Sequence, residues 1–172
     1  MKIIDLSKQI YTNMPVYKTD PKVDIKIINT HEEHTWEVRK LCLGSHTGTH
    51  VDSYSHMHKG MDTIDNISLD KFIGNAMVVN EDDIFVEGIG IFFIEKVDVN
   101  ILDKILKYKP KFVGGNISTE LERKLLYNKI ITYTDLVNLE LIPKNQIFKF
   151  IGLPLKIKSG DGSPVRAIAI VE

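Results

Sequence analysis

Residues 44–58 read GSHTGTHVDSYSHMH, and they contain four of the six histidines in the 172-residue chain. If the segment is extended, His46, Gly48, His50 and Asp52 share one face, while the residues between them point the other way. In a flat strand the α-carbons of His46 and His50 would lie about 13 Å apart, near the limit for two imidazoles that bind one ion. A bend at Gly48, which has no β-carbon, would bring them together. We therefore predict a bent strand end or loop that carries three ligands.

The residue types in this segment favour a metal site. Imidazole nitrogen and carboxylate oxygen are the ligands expected for zinc, manganese or iron. A helix would also place His46 and His50 on one face, but the β-branched residues and the central glycine argue against a helix. His58 is either a surface neighbour or a replacement ligand. His31 and His34 lie in a polar segment without an aspartate or glycine beside them, which favours an exposed turn over a second metal site.

Composition limits the classes of partner. The chain has 43% hydrophobic residues, 26% charged residues and a formal net charge of −1, so nothing in its charge favours nucleic acid or an anionic membrane. The single cysteine, Cys42, excludes an internal disulfide framework and fits a reducing compartment. No apolar run approaches the roughly 20 residues that span a bilayer, and Asp5 interrupts the region where a signal peptide would be apolar. We expect a cytoplasmic protein that binds neither nucleic acid nor membrane.

Hydrophobic patterning predicts an α/β protein with one compact domain over residues 1–172, because strands dominate both ends and β–α alternation fills the middle. Residues 36–43 form a predicted strand that leads directly into the histidine segment. The other predicted strands cover residues 2–6, 23–29 (half-buried), 76–79, 89–94, 112–113, 130–133, 147–157 and 165–171, and the predicted helices cover 99–108 and 119–128. We expect the strand at 112–113 to end at Gly114-Gly115, and the segment 160–164 to connect the last two strands.

Residues 46–52, followed by His56, resemble the signature of the Putative cyclase family of metal-dependent hydrolases, which includes bacterial kynurenine formamidase and isatin hydrolase. That signature reads His-x-Gly-Thr-His-x-Asp-x-Pro-x-His, and Tyr54 replaces its proline here. The resemblance extends to both termini, where residues 4–7, 14–17, 153–158 and 160–167 look like the family's opening and closing segments. The usual Pro-Gly of the opening is replaced by Lys18-Thr19, and the stretch 81–111 looks shortened.

The resemblance implies a mixed β-sheet with the family's swivelling β/β/α architecture, and it assigns roles to individual residues. His46, His50 and Asp52 would bind one divalent ion, either zinc or manganese. His56 would act as the general acid/base, and Tyr17 in the N-terminal loop would flank a small-molecule substrate. Family members tend to form dimers or tetramers in which neighbouring subunits complete the sites, so we expect a homodimer or homotetramer.

The resemblance also predicts a degenerate second metal position. Relatives with two ions carry a downstream histidine and, twelve residues later, a glutamate; here those places hold Glu122 and Thr134. Thr134 is a poor ligand because it offers a single neutral hydroxyl. Glu122 has an alternative role, since residues 119–122 have the form of a capping box with Glu122 at the third helical position. We therefore expect the second metal position to be lost.

Together these features predict a single-metal hydrolase of a small amide, formamide or lactam C–N bond. Tyr17, with Trp36 or Tyr54 as further candidates, would supply an aromatic wall to the substrate. The alternative is a degenerate family member that binds a metal or small ligand without turnover. The altered second position, the shortened middle and Lys18-Thr19 favour this alternative.

Overall fold

Short β-strands make up most of the regular secondary structure. The computed structural model describes residues 1–171, and in this range eleven strands are interspersed with three α-helices. The strands are β1 (Lys2–Asp5), β2 (Asp24–Asn29), β3 (Val38–Cys42), β4 (His50–Asp52), β5 (Ile73–Val79), β6 (Gly90–Val97), β7 (Phe112–Ile117), β8 (Ile131–Thr134), β9 (Phe148–Ile151), β10 (Gly162–Pro164) and β11 (Ile168–Val171). The helices are α1 (His31–His34), α2 (Leu102–Lys107) and α3 (Thr119–Tyr127), and single turns of 3₁₀ helix occupy Tyr54–His56, Leu69–Lys71, Val99–Ile101 and Leu139–Leu141. None of the helices in the described range is long and apolar enough to cross a membrane.

Nine of the strands form one mixed sheet in the order β1-β11-β9-β5-β6-β7-β8-β4-β10. The central strands β5, β6, β7 and β8 run parallel, and antiparallel pairs flank them on both sides. Helices α2 and α3 connect β6 to β7 and β7 to β8, as the β–α alternation predicted. The predicted α/β class with a mixed sheet is confirmed.

The main sheet has a hydrophobic core on each face. Ile91 and Phe93 of β6 belong to the core that also contains Leu121 and Leu125 of α3, whereas Phe92 between them belongs to the core on the opposite face. Because neighbouring strand residues point to opposite faces, a strand buried on both sides must be apolar at every position. This double burial explains the continuous apolar runs in β5 and β6.

Three predicted boundaries were wrong, and the first is that β9 covers only Phe148–Ile151 of the strand predicted at 147–157. Strand β7 does not stop at Gly114 but continues through Gly114 and Gly115 to Ile117. The segment 160–164, predicted to be only a connection, contains strand β10, which pairs with β4. Glycine-rich segments suggest turns, but here their lack of side chains permits close strand packing instead.

Gly115 is expected to be among the least replaceable residues of the sheet. It has a positive φ of 93°, and a β-carbon there would collide with the carbonyl group of Phe93. Gly115→Ala should therefore lower the free energy of unfolding by about 2–5 kcal/mol, since it combines backbone strain with overpacking. Gly88→Ala is the matched control: its φ is 78°, but nothing lies within 4 Å of the new carbon. It should cost only about 1 kcal/mol. Equal losses in urea unfolding would show that the Phe93 contact is unimportant.

Strands β2 and β3 form a separate two-stranded sheet. The predicted half-burial of β2 is only partly correct, because three of its residues, Lys26 to Ile28, are exposed. All five residues of β3 are exposed as well. The physical reason is that β2 and β3 pair only with each other and leave the main sheet.

Candidate metal centre

The histidine segment enters the sheet through a turn followed by strand β4. Residues 45–49 form the turn, and Gly48 within it has a positive φ of 62°. The bend predicted at Gly48 is therefore present. Thr47 and Thr49 are each 2% exposed, while His46 and His50 are only partly buried, so the two sets of side chains do point in different directions.

Three donor atoms converge beyond the bend. Nδ1 of His46 lies 2.7 Å from Oδ1 of Asp52, and Nε2 of His50 lies 3.6 Å from the same oxygen. The two imidazole rings are edge to face with centroids 5.1 Å apart. Ligand atoms about 2.0–2.2 Å from a tetrahedral zinc ion stand about 3.4 Å from one another. The His50–Asp52 distance is close to that value, and the His46–Asp52 distance is shorter.

Hydrogen bonds determine which nitrogen of the His50 ring faces Asp52. Its Nδ1 donates to the carbonyl oxygen of Gly48 at 2.6 Å, which leaves Nε2 unprotonated in the neutral ring. Nε2 instead accepts a hydrogen bond from the hydroxyl of Thr134 at 2.7 Å. Thr134 reaches it because β8 pairs His50 with Thr134 in register. A backbone carbonyl that holds the outer nitrogen is the usual partner of a metal-binding histidine.

Asp161 is the site residue that the sequence analysis missed. It directly precedes β10, and its Oδ2 accepts a hydrogen bond from Nε2 of His46 at 2.8 Å. Its Oδ1 accepts a second one from the hydroxyl of Ser45, also at 2.8 Å. The sequence showed an acid between two glycines, Gly160 and Gly162, which suggested a turn, and the resemblance of residues 160–167 to a closing segment of the family assigned Asp161 no role.

Glu122 also reaches the site, and the capping-box interpretation of this residue is wrong. The α3 N-cap is Ser118, one residue earlier than predicted, and its side chain accepts from the backbone N–H of Leu121. Glu122 is buried and accepts a hydrogen bond from the hydroxyl of Thr132 at 3.1 Å. That hydroxyl also lies 3.3 Å from Oδ2 of Asp52, so Thr132 bridges the two carboxyl groups.

Burial and neighbouring charges shift the pKa values of His46, Asp52, Glu122 and Asp161. Burial alone would lower the pKa of His46, but hydrogen bonds and charge from Asp52 and then Asp161 raise it to about 9. Burial, followed by the negative charge of Asp52, raises the pKa of Glu122 to about 8. Burial opposes ionisation of Asp52 and Asp161, yet hydrogen bonds from His46 hold both pKa values down, that of Asp161 at about 2. Without a metal, His46 thus carries a proton between two carboxylates at pH 7.

His56 stands beside the cluster, at the end of the 3₁₀ turn. Its ring centroid lies 4.0 Å from that of His46, and its Nδ1 lies 3.5 Å from Oδ2 of Asp161. His46, Asp52 and His56 each place one donor atom within 4.8 Å of the others, which makes His56 an alternative third ligand. His50 is not in that group: its Nε2 lies 3.6 Å from Oδ1 of Asp52 and accepts the Thr134 hydroxyl.

The remaining candidate residues, three aromatic side chains and His58, differ in burial and in contacts. Tyr54 is 4% exposed and packs in the hydrophobic core, so its candidacy for the aromatic wall was wrong. Tyr17 is 76% exposed and Trp36 is 56% exposed, so both remain accessible. His58 is bound to the carbonyl oxygen of Arg123 through Nε2 at 2.8 Å, which ties it to α3 as a surface neighbour.

The sequence matches one protein family and two relatives over most of their length. The Putative cyclase family model matches residues 4–100. An uncharacterised protein of Methanocaldococcus jannaschii is 33% identical over 195 residues, with 99% of this chain and 100% of that protein covered. A kynurenine formamidase of Salinibacter ruber is 28% identical over 207 residues, with 98% and 97% covered. Both alignments exceed the 172 residues of this chain, so the relatives contain residues that it lacks.

A solved structure shows the same fold. Isatin hydrolase A from Labrenzia aggregata, bound to benzyl benzoate, has a TM-score of 0.86 at 18% identity, with 99% of this chain and 93% of that chain covered. This likeness confirms the predicted cyclase-family architecture. The family model covers more than half of the chain, and the archaeal relative aligns over nearly all of it. The chain belongs to the Putative cyclase family.

Proposed function

We propose that the protein is a single-metal hydrolase that cleaves a small amide, formamide or lactam C–N bond. The observation that carries this proposal is the convergence of His46 Nδ1 and His50 Nε2 on Oδ1 of Asp52. Similarity to a kynurenine formamidase and to an isatin hydrolase supports the class of bond.

His46, His50 and Asp52 would hold the ion, as their donor chemistry and spacing fit it. When bound, a divalent ion supplies Lewis acidity that makes water nucleophilic near neutral pH and polarises a carbonyl group. The protein contributes the orientation of the ligands. Gly48 fixes the protonated nitrogen of His50, and Asp52 is held from its other oxygen by the Thr132 hydroxyl.

His56 would transfer the proton. Hydrolysis forms a C–O bond and breaks the C–N bond, so one proton must leave the water and one must reach the departing nitrogen. His56 is partly exposed beside the cluster, and within residues 1–171 no hydrogen bond to its ring is formed, so both of its nitrogens can exchange protons. An imidazole can both accept and return a proton, which suits both halves of this transfer. Tyr17 would flank the substrate, because its exposed side chain is accessible to a small molecule.

A panel of substrates tests the proposal. The protein loaded with zinc or manganese should hydrolyse at least one N-formyl arylamine or cyclic aryl amide, with the rate abolished by a chelator. Simple carboxylic esters and phosphate esters serve as controls for other hydrolytic chemistry. No turnover of any amide, by protein shown to contain metal, would contradict the proposal.

That negative result would favour the second candidate, a degenerate member that binds a ligand without turnover. One specific observation supports this candidate: the second metal position holds Glu122, which is bound by Thr132, and Thr134, whose hydroxyl is engaged with His50.

Metal binding is expected to release about one proton per ion at pH 7. The pKa of His46 is raised to about 9, so its ring is protonated at pH 7 in the metal-free protein, whereas a metal ligand must be deprotonated. The release should fall towards zero as the pH rises through 9. Calorimetric titration in buffers with different ionisation enthalpies measures it directly. A binding enthalpy that is the same in every buffer at pH 7 would contradict the assignment of His46 as a ligand.

We also propose that the second metal position is lost. Glu122 interacts with Asp52 and accepts the Thr132 hydroxyl, and the Thr134 hydroxyl is engaged with His50. Together they offer at most one negative charge to a second dication, which the first would repel. The double change Glu122→His with Thr134→Glu should raise the metal content from about one towards two ions per chain. A folded double mutant with unchanged metal content would show that these two positions do not form the second site.

We propose further that two or four copies of the chain associate through the β2–β3 sheet. Ile27, Ile28, Trp36, Val38 and Leu41 are all exposed on or beside this sheet, and each strand has one unpaired edge. Exposed apolar surface next to free strand edges is typical of an interface. Sedimentation should show a dimer or tetramer, and Leu41→Lys should shift it towards the monomer.

A further inference from the structure

The loop before β10 is built to present one carboxylate to the metal centre. The backbone carbonyl of Asp161 accepts hydrogen bonds from both the N–H and the hydroxyl of Ser53, each at 2.9 Å. Gly162 has no room for a side chain, since a β-carbon would lie 2.7 Å from Cε1 of His46. The loop is therefore fixed to the end of β4 and packed against the His46 ring.

One oxygen of the Asp161 carboxylate binds Ser45 in the histidine turn, and the other faces the two histidine rings. Oδ1 accepts the Ser45 hydroxyl at 2.8 Å. Oδ2 accepts Nε2 of His46 at 2.8 Å and also lies 3.5 Å from Nδ1 of His56. Within residues 1–171, Asp161 is the only carboxylate within 4 Å of a nitrogen of the His56 ring.

This arrangement has different consequences for the two rings. Because Nε2 of His46 is held by Asp161, the opposite nitrogen, Nδ1, is the one that faces Asp52. A carboxylate on the outer nitrogen of a metal-binding histidine orients the ring and strengthens it as a ligand. For His56, the same oxygen lies 3.5 Å from Nδ1, which is contact distance without a short hydrogen bond.

We propose that Asp161 is a positioning residue that sets the orientation of both His46 and His56 through one shared oxygen. Asp161 holds Nε2 of His46, so that Nδ1 faces the ion. Asp161 also keeps the His56 ring beside His46 and Asp52. Its role with His56 rests on the hydrolase proposed above, whereas its role with His46 depends only on metal binding.

The test compares Asp161→Asn with the wild type in two measurements that need no substrate. In histidine-labelled protein, nitrogen NMR should show Nε2 of His46 protonated in the zinc-bound wild type, and this signature should be lost or mixed in Asp161→Asn. The dissociation constant for zinc, measured by competition with a chelating dye, should rise about 10–100-fold, as for other carboxylates that support a metal-binding histidine.

Asp65→Asn is the matched control. Asp65 Oδ1 accepts the backbone N–H of Ser159 at 3.1 Å, so this change removes one charge that supports the same loop without touching a histidine. It should leave zinc affinity within about twofold of the wild type. Unchanged zinc affinity in Asp161→Asn, or an equal loss in Asp65→Asn, would overturn the proposal.

If Asp161→Asn does not fold, Ser45→Ala serves instead, because it keeps the charge and removes only the hydrogen bond that aligns Oδ1. Loss of one such bond should weaken zinc binding about twofold to tenfold; no change would overturn the proposal. With an active substrate, Asp161→Asn should also lower kcat more than it raises KM. If no amide is turned over, the hydrolase proposal fails, and zinc affinity still decides the role of Asp161.

Discussion

His50→Ala is expected to remove most of the bound metal and abolish turnover. His50 supplies one of the three proposed metal ligands. Its Nε2 lies 3.6 Å from Oδ1 of Asp52, whereas Nδ1 of His46 is hydrogen-bonded to the same oxygen. Loss of one of three protein ligands leaves a two-donor site, which should hold less than about a tenth of the wild-type zinc or manganese after desalting. Elemental analysis of purified protein measures this directly.

His58→Ala provides the matched control for this experiment. His58 is two residues beyond His56, but its ring is bound to the carbonyl oxygen of Arg123 and packs against Tyr127. It should retain the wild-type metal content. Equal metal content in His50→Ala and the wild type would exclude His50 as a ligand and leave the trio of His46, Asp52 and His56 as the metal site.

His56→Ala should have the opposite profile: full metal content and a rate lower by roughly 10²–10⁴-fold, the usual contribution of a general acid/base. The reason is geometric, since His56 approaches Asp161 and the ring of His46 while His50 completes the trio around Asp52. Metal content and kcat are measured on the same preparation. A variant that loses its metal would make His56 a ligand and leave the reaction without an assigned proton carrier.

The local part of the site could be predicted from the sequence. The spacing of His46, His50 and Asp52 around Gly48 predicted the bend, and the structure has a positive φ at that glycine. The resemblance placed Thr134 at the second metal position as a poor ligand, and its hydrogen bond to His50 was not predicted. In the structure Thr134 stands opposite His50 in the register of β4 and β8.

The contributions from distant segments could not be predicted. Asp161 reaches His46 from 115 residues away, and its neighbours Gly160 and Gly162 are as typical of a turn as of a tightly packed strand end. Glu122 was misassigned because both Ser118 and Thr119 are good N-caps, and a shift of one residue turns Glu122 from the helix start towards Thr132. Local propensity does not determine which of two adjacent caps the tertiary packing selects.

The most direct test of a single-metal hydrolase is the rate of amide hydrolysis measured while metal-free protein is titrated with zinc or manganese. The rate should be near zero at the start, rise in proportion to added metal and level off at about one ion per chain. A rate that persists in the metal-free protein, or one that continues to rise until two ions are bound, would contradict the account.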